Sequence, residues 1–197
     1  MNRLIVGLTG MSGAGKSTVC RVFAEHGFYV VDCDLSAREV VKPGCPALDE
    51  LRERFSRDVI LPDGSLDRRA TSELIFRDPE KRALFNKIIY PYITYNIAGK
   101  IKQGGGLILL DAPTLFEARL EFLCGRIVSV VADTGVCAAR ITARDNIPEE
   151  LARARLASQH GAEFYRMRSD FCLENNGTGP ELFAKAAQTA ELLKGKA

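Results

Sequence analysis

Short apolar runs rich in β-branched residues recur along the chain. They are residues 3–8 (RLIVGL), 28–34 (FYVVDCD), 106–113 (GLILLDAP), 126–133 (RIVSVVAD) and a shorter one at 170–177 (DFCLENNG). Each reads as a buried strand rather than a half-exposed one, because apolar residues follow one another instead of alternating with polar ones. Helical patterns separate the runs. After the first, Val19, Val22 and Phe23 lie at helical spacing and Gly27 provides a stop. Strand and helix in alternation predict an α/β fold with a parallel sheet covered on both faces. Ligands of such sheets bind at the carboxyl ends of the strands. That edge would carry Asp32, Asp34, Asp111 and Asp133.

Between the first strand and its helix lies GLTGMSGAGKST, residues 7–18. Gly10, Gly15, Lys16 and Ser17 fit the pattern G-x-x-x-x-G-K-[ST] of a phosphate-binding P-loop. The chemistry explains the composition. The backbone must wrap an anion with its N–H groups inward, which needs dihedrals that glycine adopts cheaply. The following helix adds the positive end of its dipole. Lys16 is expected to reach the β- and γ-phosphates, and the Ser17 hydroxyl to ligate Mg²⁺.

Residues 35–104 break the alternation. They are helical, with turn signals at Pro43-Gly44, Pro62-Asp63-Gly64 and Asp78-Pro79, and read as an inserted substrate-binding subdomain. A second helical excursion, 138–168, is rich in arginine and has the character of a lid. The nucleotide-binding core would then comprise 1–34, 105–137 and 169–197, closing on an amphipathic helix. No lysine stands between Lys102 and Lys185, whereas arginines recur at 119, 126, 140, 144, 153, 155, 166 and 168. Arginine forks suit phosphate oxygens.

The net charge of +2 argues against a default nucleic-acid binder. The six cysteines form no C-x-x-C pair, and no apolar run approaches the ~18 residues of a membrane span. The expectation is a cytoplasmic protein with reduced cysteines. The guanine signature N-K-x-D is lacking; the nearest string is NKII at 86–89. A P-loop, a helical insert and an arginine lid together point to a small-molecule kinase. Asp32 and Asp34, two apart at the end of the second strand, would face one side, one polarising an acceptor hydroxyl and the other helping to hold Mg²⁺ through water. On the residues alone, a kinase for another nucleoside or metabolite and a nucleotide-dependent binding module remain open.

The chain resembles the dephospho-CoA kinase family. Beyond the P-loop and DCD, the likeness is carried by PGCPAL (43–48), DGSLDRR (63–69), IFRDPEKRALFNKIIYP (75–91), DAPTLFE (111–117), RITARD (140–145), RLASQ (155–159) and ENNG (174–177), in the family's order. The resemblance implies a three-layer P-loop kinase fold with helical insert and lid, and transfer of phosphate from ATP to the 3′-hydroxyl of dephospho-CoA. It implies ATP and Mg²⁺ as cofactors, and neither nucleic acid nor membrane as partner. Asp34 matches the catalytic base, with Lys16 and Arg140 beside it. Ser12, Gly13, Ala14, Gly15, Lys16, Ser17, Thr18, Arg144 and Asn176 match ATP-binding positions, Ser17 also serving the metal. Asp32, Arg68, Tyr90 and Asp111 match acceptor-side positions, and Gln159 lies in the helix after the lid. Met11, Thr71, Tyr90, Thr114 and Ser169 depart from the family's usual residues.

Overall fold

The computed structural model describes residues 3–195; residues 1, 2, 196 and 197, which the expected core segments also include, lie outside the described residues. Five strands form one sheet: β1 (Leu4–Gly10), β2 (Tyr29–Asp32), β3 (Leu107–Asp111), β4 (Arg126–Val131) and β5 (Phe171–Glu174), in the order β2-β3-β1-β4-β5. β1 pairs in parallel with both β3 and β4, and β4 with β5. Parallel strands need long crossovers, and the helices supply them. Both faces of β1 are covered. Val6 and Leu8 are fully buried on one face, and Thr9 on the other. On that second face Leu115 and Cys124 pack so closely over Gly7 that a methyl there would sit 2.8 Å from the Cys124 sulfur.

The chain divides into two compact units, Met1–Val31 with Gly104–Ala197, and Asp32–Gln103. In the first, α1 (Lys16–Glu25) buries Val19, Val22 and Phe23. The last helix of the chain, α9 (Gly179–Lys194), buries Leu182, Ala186, Thr189, Ala190 and Leu193, one stripe at helical spacing, and packs against α1 and β5. Three helices stand between β4 and β5: α6 (Thr134–Asp145), α7 (Glu149–Ala157) and α8 (Ala162–Arg168). α6 packs on α7, and α8 on β4 and β5.

The second unit is helical and has its own core. Its helices are α2 (Cys33–Glu39), α3 (Pro46–Arg54), α4 (Arg68–Arg77) and α5 (Pro79–Gln103). Val40, Val41, Ala47, Leu51, Ile88 and Ile89 cluster there, with Phe55 set edge-on to Phe85 at 5.5 Å. α5 runs through Pro91, which has no N–H to give the helical ladder. α4 starts on Asp67, whose carboxylate accepts the N–H groups of Arg69 (3.0 Å) and Ala70 (2.9 Å). This cap also accommodates a buried polar residue: the Thr71 hydroxyl donates to the Asp67 carbonyl at 2.6 Å.

One local expectation fails. Strand alternation was to carry the chain through Asp34, but β2 stops at Asp32. The Asp32 carboxylate accepts the N–H of Leu35 at 2.8 Å, and its carbonyl accepts the Ser36 hydroxyl at 3.0 Å. Aspartate is a strong N-cap, so the chain turns into α2 two residues early. Asp34 therefore lies in the first turn of a helix, where the dipole favours a carboxylate. Asp32 and Asp34 do not share a strand face.

Candidate active site

The P-loop joins β1 to α1 as the glycine spacing requires. Gly10 has φ 144°, and a methyl there would run into the Val130 carbonyl of the neighbouring strand. Met11 donates its N–H to Val130 O at 3.0 Å and buries its side chain in the core, so a large residue at this position is absorbed by packing. Gly15 caps α1 in the left-handed region at φ 105°. α1 opens at Lys16 and its first acceptor, the Gly15 carbonyl, takes the Thr18 N–H at 3.0 Å, so the Lys16 and Ser17 N–H groups have no intrahelical acceptor and are available to an anion.

A Cβ on Gly15 would stand 2.7 Å from Asn175 Nδ2 and 2.9 Å from Leu182 Cδ2. Strain and collision act together here, so Gly15→Ala is expected to weaken ATP binding by roughly tenfold or more. Isothermal titration with ATP checks this; wild-type affinity would refute the tight fit described for the loop.

The loop bounds a cleft of about 480 Å³, with Lys16, Ser17, Pro113, Arg140 and Arg144 on its walls. Its three cations are in different states. Lys16 forms an ion pair with Asp111 at the end of β3. The partner follows from register: Asp111 stands opposite Leu8 in the pairing of β1 with β3. Arg144 makes a two-pronged pair with Asp145, at 2.7 and 3.0 Å. Asp145 also accepts from Arg155 at 2.5 Å. The two guanidiniums hold the Asp145 carboxyl down to about 2. A depressed carboxylate pKa gives stability that is present above the unfolded value of ~3.9 and is lost as pH falls through about 2. The cluster therefore stays charged throughout the neutral range.

Arg140 differs from the other two. It donates to three main-chain carbonyls, Asn175 (3.0 Å), Gly13 (3.4 Å) and Gly177 (3.5 Å). Among the described residues no carboxylate pairs with it. Its charge is held in place and not neutralised.

Two further residues from outside the loop hold it by side-chain hydrogen bonds. Gln159, expected in a helix, lies instead in the bend after α7; it accepts the Ser12 N–H at 3.2 Å and donates to the Ser12 hydroxyl at 2.9 Å, tying that bend to the loop. Asn175 donates to Ala14 O at 2.7 Å. The sequence reading singled out its neighbour Asn176, whose side-chain oxygen accepts the Asp133 N–H at 2.7 Å, at the start of α6. A signal for Asn175 existed. Residues two apart on a strand share a face, and Leu173 and Asn175 are both buried.

The remaining expected residues lie in the helical unit. Asp32 caps α2, and Asp34 is exposed on its first turn. Arg68 opens α4 and is exposed. Its neighbour Arg69 pairs with Glu73, whereas Arg68 has no acidic partner among the described residues. A cation at a helix start is opposed by the dipole. Tyr90 packs against the unit's core.

Comparison with known proteins follows the same lines. The family model for dephospho-CoA kinase matches residues 4–181. A Thermobifida fusca dephospho-CoA kinase is 39% identical over 194 residues, covering 97% of this chain and 96% of the relative. A Thermus thermophilus crystal structure superposes with a TM-score of 0.84 at 28% identity, over 98% of both chains. A dephospho-CoA kinase from Campylobacter jejuni shares the fold, with a TM-score of 0.61 at 20% identity over 96% of each chain. On its residues, its fold and its relatives alike, this chain belongs to the dephospho-CoA kinase family.

Proposed function

We infer that the chain transfers the γ-phosphoryl group of ATP to the 3′-hydroxyl of dephospho-CoA, giving coenzyme A and ADP. Beside family membership, the observation that carries this reading is a P-loop cleft in which helix N–H groups, Lys16 and an unneutralised Arg140 converge. Phosphoryl transfer asks a protein mainly for positioned positive charge, and this cleft offers it.

In this reading residues 12–18, with Arg144, hold the ATP phosphates, and Asn176 serves the adenine end. Lys16 exchanges Asp111 for phosphate oxygens. The acceptor's 3′-oxygen forms its bond to the γ-phosphorus as the bond from phosphorus to the bridging oxygen breaks, and that electron pair leaves on ADP. Asp34 orients the hydroxyl and accepts its proton; Asp32, Arg68, Tyr90 and Asp111 serve the acceptor. The exposed Ser17 hydroxyl at the cleft suits a Mg²⁺ that keeps its other sites for phosphate and water. When bound, Mg²⁺ neutralises charge on the β- and γ-phosphates. We assign 35–104 to the acceptor and 138–168 to a lid over ATP. None of the six cysteines forms a disulfide among the described residues, which supports a reducing, cytoplasmic setting.

ADP release measured with dephospho-CoA, adenosine, AMP and shikimate tests the assignment. Turnover is expected with dephospho-CoA far above the others; a preference for any of the other three would refute it. Arg140→Ala is expected to lower kcat roughly tenfold or more while ATP affinity changes less, because fixed charge meets charge that grows in the transition state. The reverse split would make Arg140 a ground-state contact.

A further inference from the structure

Asn175 meets both the P-loop and Arg140. It follows β5, is only 7% exposed, and donates its own N–H to Val131 O at 2.9 Å. Its side-chain Nδ2 donates to the Ala14 carbonyl at 2.7 Å, and its carbonyl accepts Arg140 Nη1 at 3.0 Å. The chain has no cis peptide bonds among its described residues. In a trans peptide the carbonyl of one residue and the N–H of the next point in opposite directions. A donor that holds the Ala14 carbonyl thereby turns the Gly15 N–H the other way, as a phosphate cradle requires of it. The fit is close enough that Gly15 has no room for a side chain against the same amide. A buried asparagine is placed here at the cost of removing a polar amide from water, and the hydrogen bond to the loop offsets it.

We propose that Asn175 is a positioning residue for phosphoryl transfer, fixing the Gly15 N–H through the Ala14 carbonyl and Arg140 through its own carbonyl. It touches no reacting atom. It sets one donor of the phosphate cradle and one cation of the cleft from a single anchored point just after β5. This rests on the kinase reading above.

The test compares Asn175→Ala and Asn175→Asp with wild type. Asn175→Asp keeps the volume and removes the donor, and it sets a carboxylate against the Ala14 carbonyl. With dephospho-CoA and ATP, kcat per folded molecule is expected to fall roughly tenfold for Ala and further for Asp, about the loss from weakening one preorganised donor. ATP affinity should weaken by less, and KM for dephospho-CoA should stay unchanged. A lowered melting temperature with wild-type kcat per folded molecule would overturn the proposal and leave Asn175 a structural residue. Should the variants not fold, hydrogen exchange of the Asn175 side-chain amide in the wild-type protein decides. Slow exchange both without nucleotide and with ADP is expected; fast exchange in either state would overturn the proposal. That measurement needs no turnover. If wild type fails on dephospho-CoA while the amide is protected, the substrate reading has failed and the brace stands.

Discussion

Lys16→Ala should leave a folded protein with almost no phosphoryl transfer, at least on the order of 10²-fold below wild type. Lys16 brings a full charge to the phosphates, and no neighbour replaces it. Arg144 is engaged by Asp145, and Arg140 is held by main-chain carbonyls. The ion pair with Asp111 adds a second effect. Removing Lys16 strands a partly buried carboxylate beside the phosphate site, so ATP affinity should fall as well. The double variant Lys16→Ala with Asp111→Asn separates the two. It should recover much of the ATP affinity and none of the turnover, read by calorimetry beside an ADP-release assay. Turnover near wild type in either variant would remove Lys16 from the chemistry.

The second large effect concerns Asp34. Asp34→Asn should bind ATP·Mg²⁺ about as tightly as wild type and lose roughly 10²- to 10⁴-fold in transfer, the range of a positioned base. Asparagine keeps the shape and one acceptor oxygen, but it cannot take the proton of the acceptor hydroxyl. A loose transition state would place the loss at the low end. Asp32→Asn is the control, and the structure sharpens it. Asp32 caps α2 through Leu35 N–H. Asparagine caps as well as aspartate, so this variant should keep both its helix and most of its activity. A dead Asp32→Asn beside an active Asp34→Asn would reverse the two roles.

The two aspartates also mark how far sequence reasoning reaches. Gly10, Gly15, Lys16 and Ser17 are legible because the chemistry dictates a local string: the loop, its glycines and the helix start are adjacent in the chain. The five strands are legible because continuous apolar runs have one common use in an α/β fold. Asp34 was misplaced because two local rules competed. Strand alternation and helix capping both apply to DCD, and the Asp32 side chain tips the balance toward a helix. The pairing of Lys16 with Asp111 was hidden for another reason. The partners are 95 positions apart and meet only through the register of β1 on β3. Asn176 came from the family resemblance, whereas strand alternation from the buried Leu173 points to Asn175.

The central place of β1 sets a condition on how the chain is made. β1 emerges from the ribosome first among the strands, yet Leu4 pairs with Leu107, and Val6 with Arg126. At roughly 5–20 residues per second, this strand waits several seconds or more for either neighbour to exist. Loop closure over so long a segment carries its full entropic cost before any ladder bond is gained, and such non-local pairing is intrinsically slow. The helical unit, whose contacts lie within residues 32–103, has its whole segment synthesised before β3. In the nascent chain the segment of the helical unit is therefore complete first, while β1 still lacks both of its partner strands.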